Sequence, residues 1–249
     1  MFKTIRNAFK VKELRGKILY TFMMLVVIRF GCQLPIPGIE TSFFANWFAK
    51  QTTDVFGFFN AMTGGSFSSM SIFALSITPY ITSSIIIQLL TIAIPKLEEL
   101  QKDGEDGRKK ITAITRYVTI FLAVIESLGL VIGFDRGHYM TVTGPLGYLL
   151  VIITLTTGSA FVMWLGERVT EKGVGNGISI ILLINIVSRM PSDFSDLYTK
   201  FMKGQDIVDQ VIAGAIILAV ILVTTILVVL LQGGVRKIPV QHAQKVQGR

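Results

Sequence analysis

No Asp, Glu, Lys or Arg lies between Arg136 and Glu167, between Lys172 and Arg189, or between Asp209 and Arg236. A water-soluble fold breaks its apolar stretches with charged faces. Stretches this long instead match the ~20 apolar residues that carry a helix, at about 1.5 Å per residue, across the roughly 30 Å core of a bilayer. Composition agrees: 51% of the residues are hydrophobic and only 16% charged, against about 25% charged in an ordinary soluble domain. The sequence predicts an all-α polytopic membrane protein with six spans, near Ile18–Leu34, Ser71–Ile94, Arg116–Gly133, Leu146–Gly166, Asn176–Arg189 and Gln210–Leu231. The first should be retained, because no small-residue cleavage site follows it and further spans do.

The charges confined to the loops set the orientation. Alternate loops hold 18 Lys and Arg on one side and five on the other, Lys50, Arg136, Arg189, Lys200 and Lys203. The positive-inside bias then puts both ends of the chain on the cytoplasmic side. In residues 1–17, Phe2, Ile5 and Phe9 at helical spacing among Lys3, Arg6, Lys10 and Lys12 read equally as an amphipathic helix on the inner leaflet or as a positive topological flank. A single cysteine, Cys32, excludes an intrachain disulfide, and two histidines in different loops offer no imidazole cluster, so metal and redox chemistry are set aside. No cofactor is expected.

Several features go beyond a plain bundle. Forty-one uncharged residues separate Asp54 from Lys96; that is too many for one span and too few for two. The apolar piece Val55 to Met62 would cover only about 12 Å as helix. Composition favours a helix lying on the outer leaflet over a re-entrant one. Pro79 predicts a kink within the second span. Ile77 and Ile81 lie one turn apart, and Ser84 and Gln88 continue the stripe. Ile178 and Leu182 repeat the aliphatic pair after Gly173-Val-Gly-Asn-Gly177. That glycine segment lacks the Lys-Ser/Thr of a nucleotide loop, and Asn176 suits the N-cap of the fifth helix. Arg29 and Glu126 are the only charges well inside spans; they could pair, or Arg29 could snorkel and Glu126 be protonated.

Two long segments carry a family resemblance: Ser71-Ile-Phe-Ala-Leu-Ser-Ile-Thr-Pro-Tyr-Ile-Thr-Ser-Ser-Ile-Ile-Ile-Gln-Leu-Leu90, and Trp164-Leu-Gly-Glu-Arg-Val-Thr-Glu-Lys-Gly-Val-Gly-Asn-Gly-Ile-Ser-Ile-Ile-Leu182. With the Pro35-Ile-Pro-Gly38 corner, Gly104-Glu-Asp-Gly-Arg-Lys-Lys110 and Arg236-Lys-Ile238, the chain resembles the N-terminal portion of the SecY family, the channel subunits of bacterial protein translocases. It departs from the family at Ser76, usually Gly, and at Leu182, most often Ile.

The resemblance implies the first inverted repeat of a ten-span, two-repeat channel plus one further helix. Residues 18–191 would form the first five-helix half, 192–231 an outer loop and sixth helix, and 232–249 the stub of a cytoplasmic loop. It implies a passive conduit in the plasma membrane for unfolded secretory chains, one that also opens sideways to release apolar segments into lipid, and no enzyme. An aliphatic pore ring would include Ile77, Ile81, Ile178 and Leu182; such side chains dewet when the pore is empty and grip no polypeptide. The resemblance overturns the surface-helix reading of residues 55–70 in favour of a re-entrant plug, with Val55, Phe56, Phe59, Asn60, Met62, Gly64 and Gly65 at family positions. Thr82, Ile86 and Gln88 would contribute to a lateral gate. Implied partners are the C-terminal half of the channel, SecE, SecG, SecA or a ribosome, and signal peptides and nascent chains. Arg236, Lys237, Lys245 and Arg249 would serve ribosome or SecA docking, or simply mark topology. Half of a secondary solute transporter, or an inert fragment, are the rival readings.

Overall fold

A computed structural model describes residues 10–41, 54–142, 144–204 and 206–235, with the side chains of 54–56 and 207 set apart. The described residues form eight helices and no β-strand: α1 Lys12–Gly31, α2 Asp54–Met62, α3 Thr78–Ala93, α4 Pro95–Lys102, α5 Gly104–Arg136, α6 Pro145–Lys172, α7 Gly177–Phe201 and α8 Ile207–Gln232. Residues 1–9 of the expected amphipathic segment and the docking cations Arg236, Lys237, Lys245 and Arg249 lie outside the described residues. The chain divides into two compact units, residues 1–190 and 191–249.

Among the described residues, α5, α6, α7 and α8 are each long and apolar enough to cross a membrane, and α3 with α4 makes a fifth if that bent pair counts as one span. The chain is a multi-pass membrane protein. The expected first span, α1, is helical but falls short in apolar length: its uncharged run ends at Arg29 and begins after Lys17. Glu13 and Lys17 form an exposed i, i+4 pair at 3.0 Å in the first turns of α1, and the Lys17 ammonium holds the Glu13 carboxyl below its usual range.

Three details differ from the sequence expectation. Residues 71–77 are turns, and α3 starts at Thr78 with Pro79 in its first turn. There the ring has no preceding helical carbonyl to clash with and its missing N–H removes no ladder bond, so Pro79 opens a helix instead of kinking one. The proline that bends the chain is Pro95: Ile94 is extended, and the axes of α3 and α4 meet at 102°. Lastly, α7 does not stop near Arg189 but runs to Phe201 with Pro191 inside it.

Within the first unit, helix contact is made through small and hydroxylated side chains, as expected where lipid gives no hydrophobic drive to associate. The buried face of α5 steps through Thr115, Thr119, Ala123 and Ser127 at four-residue spacing. The Thr119 hydroxyl meets that of Ser83 on α3 at 2.6 Å. Gly158 lets α6 reach the backbone of Ile72. An ion pair closes one end of the α5–α6 contact, Arg116 Nε donating to Glu167 Oε1 at 2.7 Å. In the second unit, Leu197 and Phe201 of α7 and Ala213, Ile216, Ile217, Val220 and Ile221 of α8 line an apolar cavity of about 580 Å³.

Candidate functional site

The four aliphatic residues of the sequence-derived ring converge on one apolar cluster. Its buried members are Ile28, Cys32, Phe73, Ile77, Val162, Leu165 and Ile181, with Ile81, Ile178 and Leu182 packed half-buried against it. Local structure explains the convergence. Ile77 is the N-cap of α3 and Ile81 lies one turn on, its N–H donating to the Ile77 carbonyl at 3.1 Å. Asn176 caps α7 as expected, its Oδ1 accepting from the N–H groups of Ile178 at 3.0 Å and Ser179 at 3.3 Å. Gly175 takes φ +69°, and the N–H of Val174 donates to Thr21 of α1 at 3.1 Å, so the turn between α6 and α7 is pinned against α1.

Gly166 on α6 forms the floor on which these side chains meet. A Cβ there would stand 2.7 Å from Cδ1 of Ile178, 3.2 Å from that of Ile181 and 3.5 Å from that of Ile77. Ile77 and Ile181 are fully buried, whereas Ile81, Ile178 and Leu182 keep an open side. The four therefore divide into one anchoring residue and three that border free space.

Beside this cluster runs the segment expected as plug. α2 gives it one short helix, and residues 63–70 turn back toward α3. Val55 and Phe56 belong to α2, but their side chains lie outside the described set. Phe59 meets Phe67 edge-to-face with centroids 5.0 Å apart, which folds the turn onto the helix. Asn60 is buried and accepts from the Ser68 N–H at 3.0 Å, while the Thr63 hydroxyl donates to the Asn60 carbonyl at 3.1 Å. Gly64 and Gly65 take φ of +67° and +86°, a left-handed reversal that glycine adopts without strain. Met62 is half-buried at the end of α2.

Two residues connect this turn to the surrounding helices. Arg29 of α1 donates from Nη1 to the Gly64 carbonyl at 3.3 Å. Among the described residues no ion pair joins it to Glu126. On α7, buried Asn185 donates to the Met62 carbonyl at 3.4 Å and to Ser76 Oγ at 3.1 Å. Sequence reasoning passed over Asn185, although it is the one amide in the apolar run after Ile178 and a buried amide must find partners.

The expected gate residues do not share one face. Thr82 and Ile86 are one turn apart and exposed, the Thr82 hydroxyl donating to the Thr78 carbonyl at 3.1 Å. Gln88 instead joins Ser84, Tyr80 and Thr91 around a polar cavity of about 230 Å³ between α3, α4 and α5. The stripe from Ile77 to Gln88 is thus split between an apolar and a polar environment.

The chain that carries this cluster and turn matches known proteins along its length. A family model described as SecY covers residues 71–249. The chain is 43% identical over 250 residues to the protein translocase subunit SecY of Bacillus licheniformis, spanning 98% of this chain and 57% of that protein. It is 42% identical to the same subunit of Bacillus subtilis, with 98% and 57% covered. The chain thus spans little more than half the length of these relatives. Among solved structures, Sec61 in the canine ribosome-channel complex from the endoplasmic reticulum superposes with TM-score 0.58 at 21% identity, over 94% of this chain and 51% of that one. A protein-conducting channel gives TM-score 0.54 at 21% identity, over 84% and 47%. Those two likenesses establish the fold, the family model and the bacterial relatives the lineage, and by both the chain belongs to the SecY family.

Proposed function

We propose that this chain forms the N-terminal half of a channel that passes unfolded secretory polypeptides across the bacterial plasma membrane and releases apolar segments sideways into lipid. The observation that carries the reading is the gathering of Ile77, Ile81, Ile178 and Leu182 in one cluster beside a buried re-entrant turn. In this reading those four are its share of the constriction, residues 55–70 with Asn60, Gly64 and Gly65 are the plug, and Thr82, Ile86 and Gln88 edge the lateral gate. The rest of the ring and gate is supplied by the portion of the relatives' length that this chain does not span. SecE, SecG, and SecA or a ribosome are the proposed partners, the last two docking on the cations Arg236, Lys237, Lys245 and Arg249. A ring of aliphatics resists ions when empty and adapts to any passing chain, so energy and direction must come from those partners.

Complementation tests the reading. In cells depleted of their own channel, this chain alone should not support secretion, and co-expression of a SecY C-terminal half should restore it. Secretion by this chain alone, with no other half detectable by mass spectrometry, would sink the proposal. Orientation is tested separately: a cysteine replacing Lys109 should be protected from an impermeant maleimide added outside intact cells, as the cationic loop 95–116 is proposed to face the cytoplasm. Labelling from outside would invert the topology.

A further inference from the structure

We infer that Asn185 is a positioning residue that latches the plug turn to the constriction helix, and that Ser76 is its partner in setting how readily the plug leaves. This rests on the channel reading and adds to it a device built from residues outside the ring. Four observations point the same way. Asn185 is 1% exposed and sits on α7 one turn beyond Ile181 of the constriction cluster. Its amide donates on both sides of the plug turn, to the Met62 carbonyl where α2 ends and to Ser76 Oγ in the turns just before α3. The backbone of the turn lies so close that a Cβ on Gly64 would be 3.0 Å from Asn185 Cα, and Arg29 also holds the Gly64 carbonyl.

The fourth is Ser76 itself, which holds φ +50°. A serine is strained in that left-handed region where glycine is not, so the hydroxyl is retained at a conformational cost that its bond to Asn185 offsets. The latch is also weak enough to open. Asn185 Oδ1 is buried without a partner among the described residues, which offsets part of what the two donated bonds contribute. A rigid anchor would satisfy every polar atom; a releasable one need not.

Cys32 is a built-in reporter. It is the only cysteine in the chain, 4% exposed, and lies beside Ser66 of the plug turn. In membrane vesicles carrying the full chain, its labelling by N-ethylmaleimide should be slow. Asn185→Leu keeps the branched shape of the side chain, with bulkier methyl ends, and removes the donors, and should speed labelling about tenfold, the scale of one or two neutral hydrogen bonds. Ser76→Gly relieves the strained φ, so a purely structural Ser76 would leave labelling unchanged or slower; as a latch partner its loss should speed it. The double variant should add little to Asn185→Leu, because both act through one bond. Thr119→Cys in a Cys32→Ser background reports the α3–α5 contact, away from the plug, and should stay unlabelled with either change.

Unaltered Cys32 labelling in Asn185→Leu would overturn the latch. So would equal acceleration at Cys32 and at the Thr119 position, which would mean general loosening. The labelling is read on this chain by itself, so a failed complementation with an intact latch result removes the channel reading alone, and the converse removes the latch alone.

Discussion

A Gly158→Leu chain should fail to reach a protease-resistant state in the membrane, while Gly129→Leu should fold normally. Both glycines lie in long helices, α6 and α5, so helix propensity favours leucine at each by about 1 kcal/mol. What separates them is the neighbour. A Cβ at Gly129 meets nothing within 4 Å, whereas one at Gly158 would overlap the Ile72 carbonyl oxygen and lie 3.0 Å from its carbon. Backbone cannot rotate away as a side chain does, so α6 must withdraw from the turns of residues 71–77. Close approach through small residues is what holds helices together in lipid, where burying apolar surface adds little. Overpacking of this kind costs about 3 kcal/mol, enough to detach the turns that carry Phe73 and Ile77 into their apolar cluster. Limited trypsin digestion of membranes would read the difference, and equal resistance of the two variants would refute the packing role.

Opening the seal is the second large effect. With a C-terminal half present, Ile81→Ser and Ile178→Ser should raise resting ion conductance in planar bilayers. Both side chains are half-buried with an open side, so a hydroxyl there would face the space that aliphatics keep dry. Fully burying an isoleucine side chain contributes about 1.5–3 kcal/mol, so losing a half-buried one, about half as much, shifts the balance between dry and wet states by roughly threefold to tenfold. Ile181→Ser should behave otherwise. Ile181 is fully buried one residue before Leu182, so serine there should lower the amount of folded protein without specifically raising conductance. If all three substitutions act alike, the ring residues merely pack.

How much of this could be read without the structure depended on whether a residue's role is local. The Asn176 cap was legible because an amide reaches its own helix's N–H groups a turn away. Pro79 was misjudged because a proline in the first turn and one in mid-helix look alike when the helix start is masked by apolar residues on both sides. The end of α7 was misjudged for the opposite reason: Arg189, Pro191, Asp193 and Asp196 close the apolar run, yet the helix continues through these polar residues to Phe201.

The sequence by itself determined that the chain crosses a membrane several times, and the proposed orientation follows from it, since uncharged length and loop charge are written residue by residue, whereas the proposed ring is what the family resemblance implies. Tertiary structure alone decided which partners the isolated polar groups take: Arg29 meets the Gly64 carbonyl and not Glu126, Arg116 meets Glu167 across 51 positions, and Asn185 meets Met62 and Ser76 more than a hundred positions away. The physical reason is that in lipid the outer and inner faces of a helix are equally apolar, so no periodicity marks which face meets which neighbour. Only the packed arrangement brings a buried donor to the acceptor it cannot do without.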